Sequence, residues 1–181
     1  VEDLYYSLIQ RFVGKVVLQD PAAFEALRGK SVLFLGNHQT GIESLLFSIL
    51  AGGLLEVPCV TIAKDEHRQT WLGDLIRHCF SYPNTRDPRL ITYFDRNDKA
   101  SLMGIIAELA QEMVSPGRSV MVHVEGTRAH TCQKPVEKMS GAFIDMALSV
   151  EVPIVPVRFT GGLPVAPLSE KTEFPVGYGT Q

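Results

Sequence analysis

A chain of 181 residues with 45% hydrophobic and 20% charged side chains is neither disordered nor collagen-like. One core of this size buries about 70% of the surface an unfolded chain exposes, without a disulfide or metal staple. The 17 basic and 20 acidic side chains leave a net charge of −3, which argues against a general nucleic-acid binder but permits a local basic pocket.

Leu4, Leu8, Ile9 and Phe12 are spaced as one face of an opening helix. Pro21 suits the first turn of a second, short helix from Pro21 to Leu27, which Gly29 ends. Ser31 to Leu35 reads S-V-L-F-L, the apolar pattern of a fully buried strand. It gives way to Gly36-Asn37-His38, and a helix is expected from Ile42 to Leu50. Val57 to Ala63 reads as a second strand. Trp71, Leu72, Leu75, Ile76 and Cys79 share a helical face, and Leu90 to Phe94 is a short third strand. Asn97 is the expected cap of an amphipathic helix carrying Leu102, Ile105, Ile106, Leu109 and Met113. Ser115-Pro116-Gly117 stops it. Ser119 to Val124 is a fourth strand, Met139 to Val150 a helix and Pro153 to Phe159 a fifth strand, after which Gly161-Gly162 opens a stretch without a confident element.

Strands alternating with helices predict an α/β fold: a mostly parallel central sheet flanked by helices, in one layered domain spanning residues 1–181. Residues 1–30 form an N-terminal helical part, 31–160 the core and 161–181 a Pro/Gly-rich tail. Both ends look cut, so the chain is expected to be a piece of something longer. The longest uncharged apolar stretch centres on Leu45 to Leu55, too short for the ~20 residues that a membrane span needs. Cys59, Cys79 and Cys132 form no C-x-x-C pair, so disulfide, zinc and thioredoxin-like readings lack support and a reducing compartment is the simpler expectation.

Parallel sheets bind ligands beyond the carboxyl ends of their strands. That places attention on Asn37 and His38, on Asp95 and Arg96, and on Glu125 to Arg128. A loop histidine at 38 and a first-turn carboxylate at Glu43 fall within hydrogen-bonding reach of each other, which is the base-plus-orienter half of a triad. Without a protein nucleophile the histidine must deprotonate a substrate hydroxyl directly. The competing reading makes His38 a helix cap and Glu43 a solvated acid. Glu125-Gly126-Thr127-Arg128 offers close backbone approach, a polyol acceptor and an anion fork, or else an ordinary turn with a surface ion pair. Arg96 is either an anion site or a partner of Asp95 or Asp98. His123 is a second titrating group or, more simply, a satisfied core histidine. There is no P-loop, no G-x-G-x-x-G and no G-x-S-x-G, so nucleotide hydrolysis, dinucleotide redox and serine-esterase chemistry lack support.

Four ordered blocks resemble the lysophospholipid and glycerol-phosphate acyltransferase family. N-H-Q-T-G-I-E, Asn37 to Glu43, is similar to an Asn-His-x4-Asp block with Glu in the Asp place. I-T-Y-F-D-R, Ile91 to Arg96, resembles a strand ending in Arg. H-V-E-G-T-R, His123 to Arg128, matches Phe-Pro-Glu-Gly-Thr-Arg with His123 and Val124 replacing Phe and Pro. V-P-I-V-P-V, Val152 to Val157, matches the fourth block fully. Lys138 and Gly141-Ala142-Phe143 are similar to the start of the helix that precedes it.

The resemblance implies acyl transfer from an acyl thioester, acyl-coenzyme A or acyl carrier protein, to a hydroxyl of glycerol 3-phosphate, lysophosphatidic acid or a related lysolipid. His38 would be the general base and Glu43 its orienter. Arg96 would bind the acceptor phosphate, Glu125 and Gly126 the glycerol, with Asn37, Thr127 and Arg128 beside them. It implies no metal or organic cofactor. The charge balance leaves no nucleic-acid partner expected, and although family members often carry an N-terminal membrane anchor, none is visible in this sequence, so a cytoplasmic enzyme, peripheral to the membrane at most, is expected. Two alternatives are carried: acyl transfer to a non-phosphorylated alcohol, an amine or water in a chain-releasing domain of a multienzyme, and a non-catalytic module that binds acyl chains or carrier protein.

Overall fold

Alternate residues of the buried strands feed two separate apolar layers, one on each face of a sheet. The computed structural model describes residues 11, 13, 15–41, 43–70, 73, 91–95, 97–129, 136–137 and 139–160. Their strands are β1 (Leu33–Gly36), β2 (Cys59–Lys64), β3 (Ile91–Phe94), β4 (Ser119–His123) and β5 (Ile154–Val157), and their α-helices of known bounds are α1 (Pro21–Glu25), α2 (Glu43–Leu55), α3 (Lys99–Val114) and α4 (Ala142–Ser149). Leu33, Val60, Ile62, Val120 and Val122 pack against Ile106, Leu109 and Met113 of α3 and Phe143, Met146 and Ala147 of α4. Val32, Phe34, Cys59 and Met121 face the other way, onto Ala51 and Leu55 of α2 with Phe24 and Leu27 alongside. Burying side chains on both faces is why these strands read as apolar runs rather than as alternating ones.

The strand order is β3-β2-β4-β1-β5, and every pairing is parallel. This is the expected α/β sheet with flanking helices. From β1 the chain crosses toward β2 by way of α2. From β4 it crosses the opposite way, toward β5, by way of α4 on the other face. Opposite departures from neighbouring strands make the carboxyl ends of β1 and β4 a topological switch point, where open parallel sheets take their ligands. The register aligns Gly36 with His123 on one side and with Val157 on the other. Three loops therefore leave the sheet side by side.

Several boundaries differ from the sequence reading. Helix α2 runs on to Leu55, past Leu50 and through Gly52. Gly52 is buried, and a Cβ there would sit 3.4 Å from the Val57 carbonyl, so the glycine lets the helix pack closely on the chain that leads into β2. The cap of α3 is Asp98, not Asn97. The Asp98 carboxylate accepts the Ser101 N–H at 2.9 Å, while the Asn97 N–H donates to Asp95. A short 3-10 helix, Asp65–Gln69, had no predicted counterpart. Helix α1 is capped by Asp20, whose carboxylate accepts the Ala23 N–H at 2.9 Å, with Pro21 in its first turn. No described helix is long and apolar enough to cross a membrane. Leu4, Leu8, Ile9 and Phe12 of the opening helix, the whole face of Trp71, Leu72, Leu75, Ile76 and Cys79, and Leu90, Arg96, Lys138 and the tail 161–181 lie outside the described residues.

Candidate active site

The loop after β1 is pinned to its two neighbours before any side chain is considered for chemistry. The Asn37 amide group donates through Nδ2 to the Phe159 carbonyl at 3.0 Å and accepts the Phe159 N–H through Oδ1 at 2.6 Å. This paired contact ties the end of β1 to the chain just past β5. On the other side, the His38 N–H donates to Glu125 Oε2 at 2.8 Å, and the His38 carbonyl accepts the Ala129 N–H at 2.7 Å. Both peptide groups of His38 are therefore held by the Glu125 to Ala129 loop. Gly36 permits the close approach, since a Cβ there would overlap the Met121 methyl and the Phe159 ring.

His38 and Glu43 meet as the spacing predicts. Nδ1 of His38 lies 2.8 Å from Glu43 Oε1, with the two side chains 19% and 9% exposed. The same Oε1 accepts the Gln39 N–H at 2.6 Å, and the Thr40 N–H and hydroxyl also bond the carboxylate. Burial raises the Glu43 pKa, and the bonds from Gln39 and Thr40 oppose that rise. A group receiving several N–H and O–H donors acts as a carboxylate acceptor. It therefore takes the Nδ1 proton of His38, and the basic lone pair sits on Nε2. Glu43 opens α2, so its negative charge also faces the positive end of the helix dipole.

A second imidazole, read from the sequence as a second titrating group or a core histidine, lies against the first. The His123 ring stacks on His38 with centroids 3.7 Å apart and planes inclined by 15°. Its Nδ1–H donates to the Asn37 carbonyl at 2.8 Å. Its Nε2 is buried and has no hydrogen-bond partner among the described residues. Burial and the nearby His38 pull its pKa down to about 3, so it is neutral where His38 would work. His123 is thus neither a fully satisfied core histidine nor a second base at neutral pH. The signal that places it is the Gly36–His123 register, which exists only once β4 is known to pair with β1.

The rest of the E-G-T-R turn faces outward. Gly126 adopts φ +64°, a left-handed conformation that favours glycine, and its N–H donates to the His123 carbonyl at 3.1 Å. Gly126 and Thr127 are exposed and Arg128 is half-buried. Cys59 is buried, and burial pushes its thiol pKa up to about 12, so it is not placed to act as a nucleophile.

His38, Glu43 and His123 bring potential ligand atoms within 4.8 Å of one another. The stack is a poor chelate. Nearly parallel rings direct their in-plane lone pairs side by side rather than toward one ion, and both Nδ1 positions carry protons given to Glu43 and Asn37.

Residues 15–160 match the acyltransferase family. The chain belongs to that family. The 1-acyl-sn-glycerol-3-phosphate acyltransferase alpha proteins of Homo sapiens, Mus musculus and Bos taurus are each 30% identical over 127 residues, 68% of this chain. The chain spans 38% of the length of these relatives. No solved structure matches it. The acyltransferase match covers the loops after β1 and β4, and so includes the whole His38, Glu43 and His123 cluster.

Proposed function

We propose that this acyltransferase moves a fatty acyl group from an acyl thioester to a hydroxyl of glycerol 3-phosphate, lysophosphatidic acid or a related lysolipid, with His38 as general base. The observation that carries the reading is the 2.8 Å contact between His38 Nδ1 and Glu43 in a loop held at both peptide groups. Nε2 takes the proton of the acceptor hydroxyl as its oxygen attacks the thioester carbonyl. The tetrahedral intermediate collapses, the C–S bond breaks, and the departing sulfur receives the proton back from the imidazolium. The Glu43 carboxylate stabilises that cation while it exists.

No acyl-enzyme, metal or organic cofactor enters this route. The donor thiol is that of coenzyme A or of an acyl carrier protein. Arg96, Arg128 and the outward Gly126-Thr127 turn are the proposed acceptor-binding positions. The names of the relatives support the lysophospholipid acceptor class.

The test is a thiol-release assay with acyl-coenzyme A and acyl carrier protein, each offered with glycerol 3-phosphate, lysophosphatidic acid or no acceptor. Release stimulated by a phosphorylated acceptor, with the acylated lipid recovered, supports the reading. Release that no acceptor stimulates replaces it with thioester hydrolysis, and binding without release replaces it with a non-catalytic module.

A further inference from the structure

The proposed reaction assigns no work to His123, although its ring stacks on that of His38 at 3.7 Å. Besides the Nδ1 bond to Glu43, the stacked His123 ring restrains the tilt of the His38 plane, and a tilted plane would aim the Nε2 lone pair away from an incoming hydroxyl. We propose that His123 is a positioning residue for His38: its flat face, anchored at Nδ1 to the Asn37 carbonyl, fixes the plane of the catalytic imidazole. The inference rests on the reading of His38 as general base.

The anchoring is traceable from the sheet outward. His123 ends β4 opposite Gly36, its Nδ1–H is held by the Asn37 carbonyl at 2.8 Å, and the Asn37 side chain is bonded twice to Phe159. The Phe159 ring stands 6.0 Å from the His123 ring at a 52° tilt. The stacking partner of His38 is therefore tied to the ends of β1, β4 and β5. The titratable groups facing His123 are His38, at the stack, and Glu43, whose Oε1 is 4.0 Å from His123 Nδ1. Remaining neutral, His123 does not compete with His38 for the transferred proton.

The discriminating property is flatness. His123→Leu fills the volume without presenting a planar face, whereas His123→Phe keeps the face and loses the Nδ1 bond. Both are compared with wild type and His38→Ala in the thiol-release assay, using long-chain acyl-coenzyme A and the better phosphorylated acceptor. A misplacement on the order of 1 Å costs up to about 100-fold in rate. The Leu variant should therefore lose about 10- to 100-fold in kcat, with both KM values within about twofold of wild type, and the Phe variant should stay within about fivefold of wild-type kcat. Equal rates in the Leu and Phe variants, or a loss confined to KM, overturns the positioning role. If His38→Ala is inactive while His123→Leu works at the wild-type rate, only this inference fails. If His38→Ala remains active, the general-base reading fails with it.

Discussion

The Glu125 carboxylate accepts the backbone N–H of His38 at 2.8 Å, so the E-G-T-R turn helps to hold the loop that carries His38. A hydrogen bond to a charged acceptor contributes about 1.5–3 kcal/mol, which corresponds to roughly 3–12 °C of melting temperature in a domain of this size. Glu125→Ala is expected to lower the melting temperature within that range and to reduce kcat. A variant with unchanged melting temperature and kcat but a raised acceptor KM would return Glu125 to a purely substrate-binding role.

For His38, general-base catalysis is worth about 10² to 10⁴ in rate. His38→Ala is expected to lose that much turnover while its circular dichroism and melting curve stay close to wild type. More than about half the wild-type rate in a well-folded variant would remove the assignment.

Glu43 tests how the site tolerates its longer carboxylate. One oxygen bridges His38 Nδ1 and the Gln39 N–H at 2.8 and 2.6 Å. Glu43→Gln keeps the length and removes the charge that stabilises the imidazolium, so its rate should fall nearly as far as that of His38→Ala. Glu43→Asp keeps the charge but shortens the reach by one methylene, and a partial loss is expected. A fully active Gln variant would leave Glu43 as a first-turn acid of α2 and nothing more.

These two residues were legible in the sequence because they lie five positions apart, on either side of a strand-to-helix turn. The parallel sheet was legible because doubly buried strands read as apolar runs. What could not be read was which strands are neighbours. The Asn37–Phe159 pair spans 122 positions and depends on β5 pairing with β1, while the His123–Asn37 bond spans 86 and depends on β4 inserting between β2 and β1. Local chemistry also underdetermined the α3 cap, since Asn97 and Asp98 are both competent and only the backbone entry decides between them. The end of α2 was likewise not legible, because the helix runs past Leu50 through Gly52, which packs against the Val57 carbonyl.

Histidine 123 gives the protein an acid-sensitive point. Its pKa falls from 6.5 to about 3 in the folded state, so the unfolded chain takes up a proton that the native chain refuses. The stability linked to this group is fully present above pH 6.5 and declines as pH falls from 6.5 toward 3, by up to about 1.4 kcal/mol per pH unit. Glu43 acts in the opposite sense, because a raised native pKa favours the folded state as the carboxyl protonates. Urea denaturation between pH 7.5 and 5 should show a steeper loss below pH 6.5 in wild type than in His123→Phe. Parallel pH profiles would show that the ring takes up its proton equally in both states.

Arg96 decides between a phosphorylated acceptor and its rivals. It follows Asp95 at the end of β3, the edge strand, two positions from β4 and three from β1. At about 4.8 Å per strand, the end of β3 stands roughly 10 Å from that of β4 and 14 Å from that of β1. Arg128 lies in the loop after β4, the strand that pairs with β1. A phosphate entering a partly dry pocket needs charge-assisted hydrogen bonds to replace its hydration, each worth about 1.5–3 kcal/mol, or about 10- to 150-fold in kcat/KM. Arg96→Ala is expected to weaken use of the phosphorylated acceptor by that factor and to leave thioester hydrolysis nearly unchanged, because water needs no phosphate grip. If Arg128→Ala carries that loss instead, the phosphate site belongs to the turn after β4. If wild type shows no preference for phosphorylated over neutral acceptors, and neither variant changes this, the acceptor is not held by a phosphate. Transfer to a neutral alcohol or to water then takes the place of the glycerol-phosphate reading.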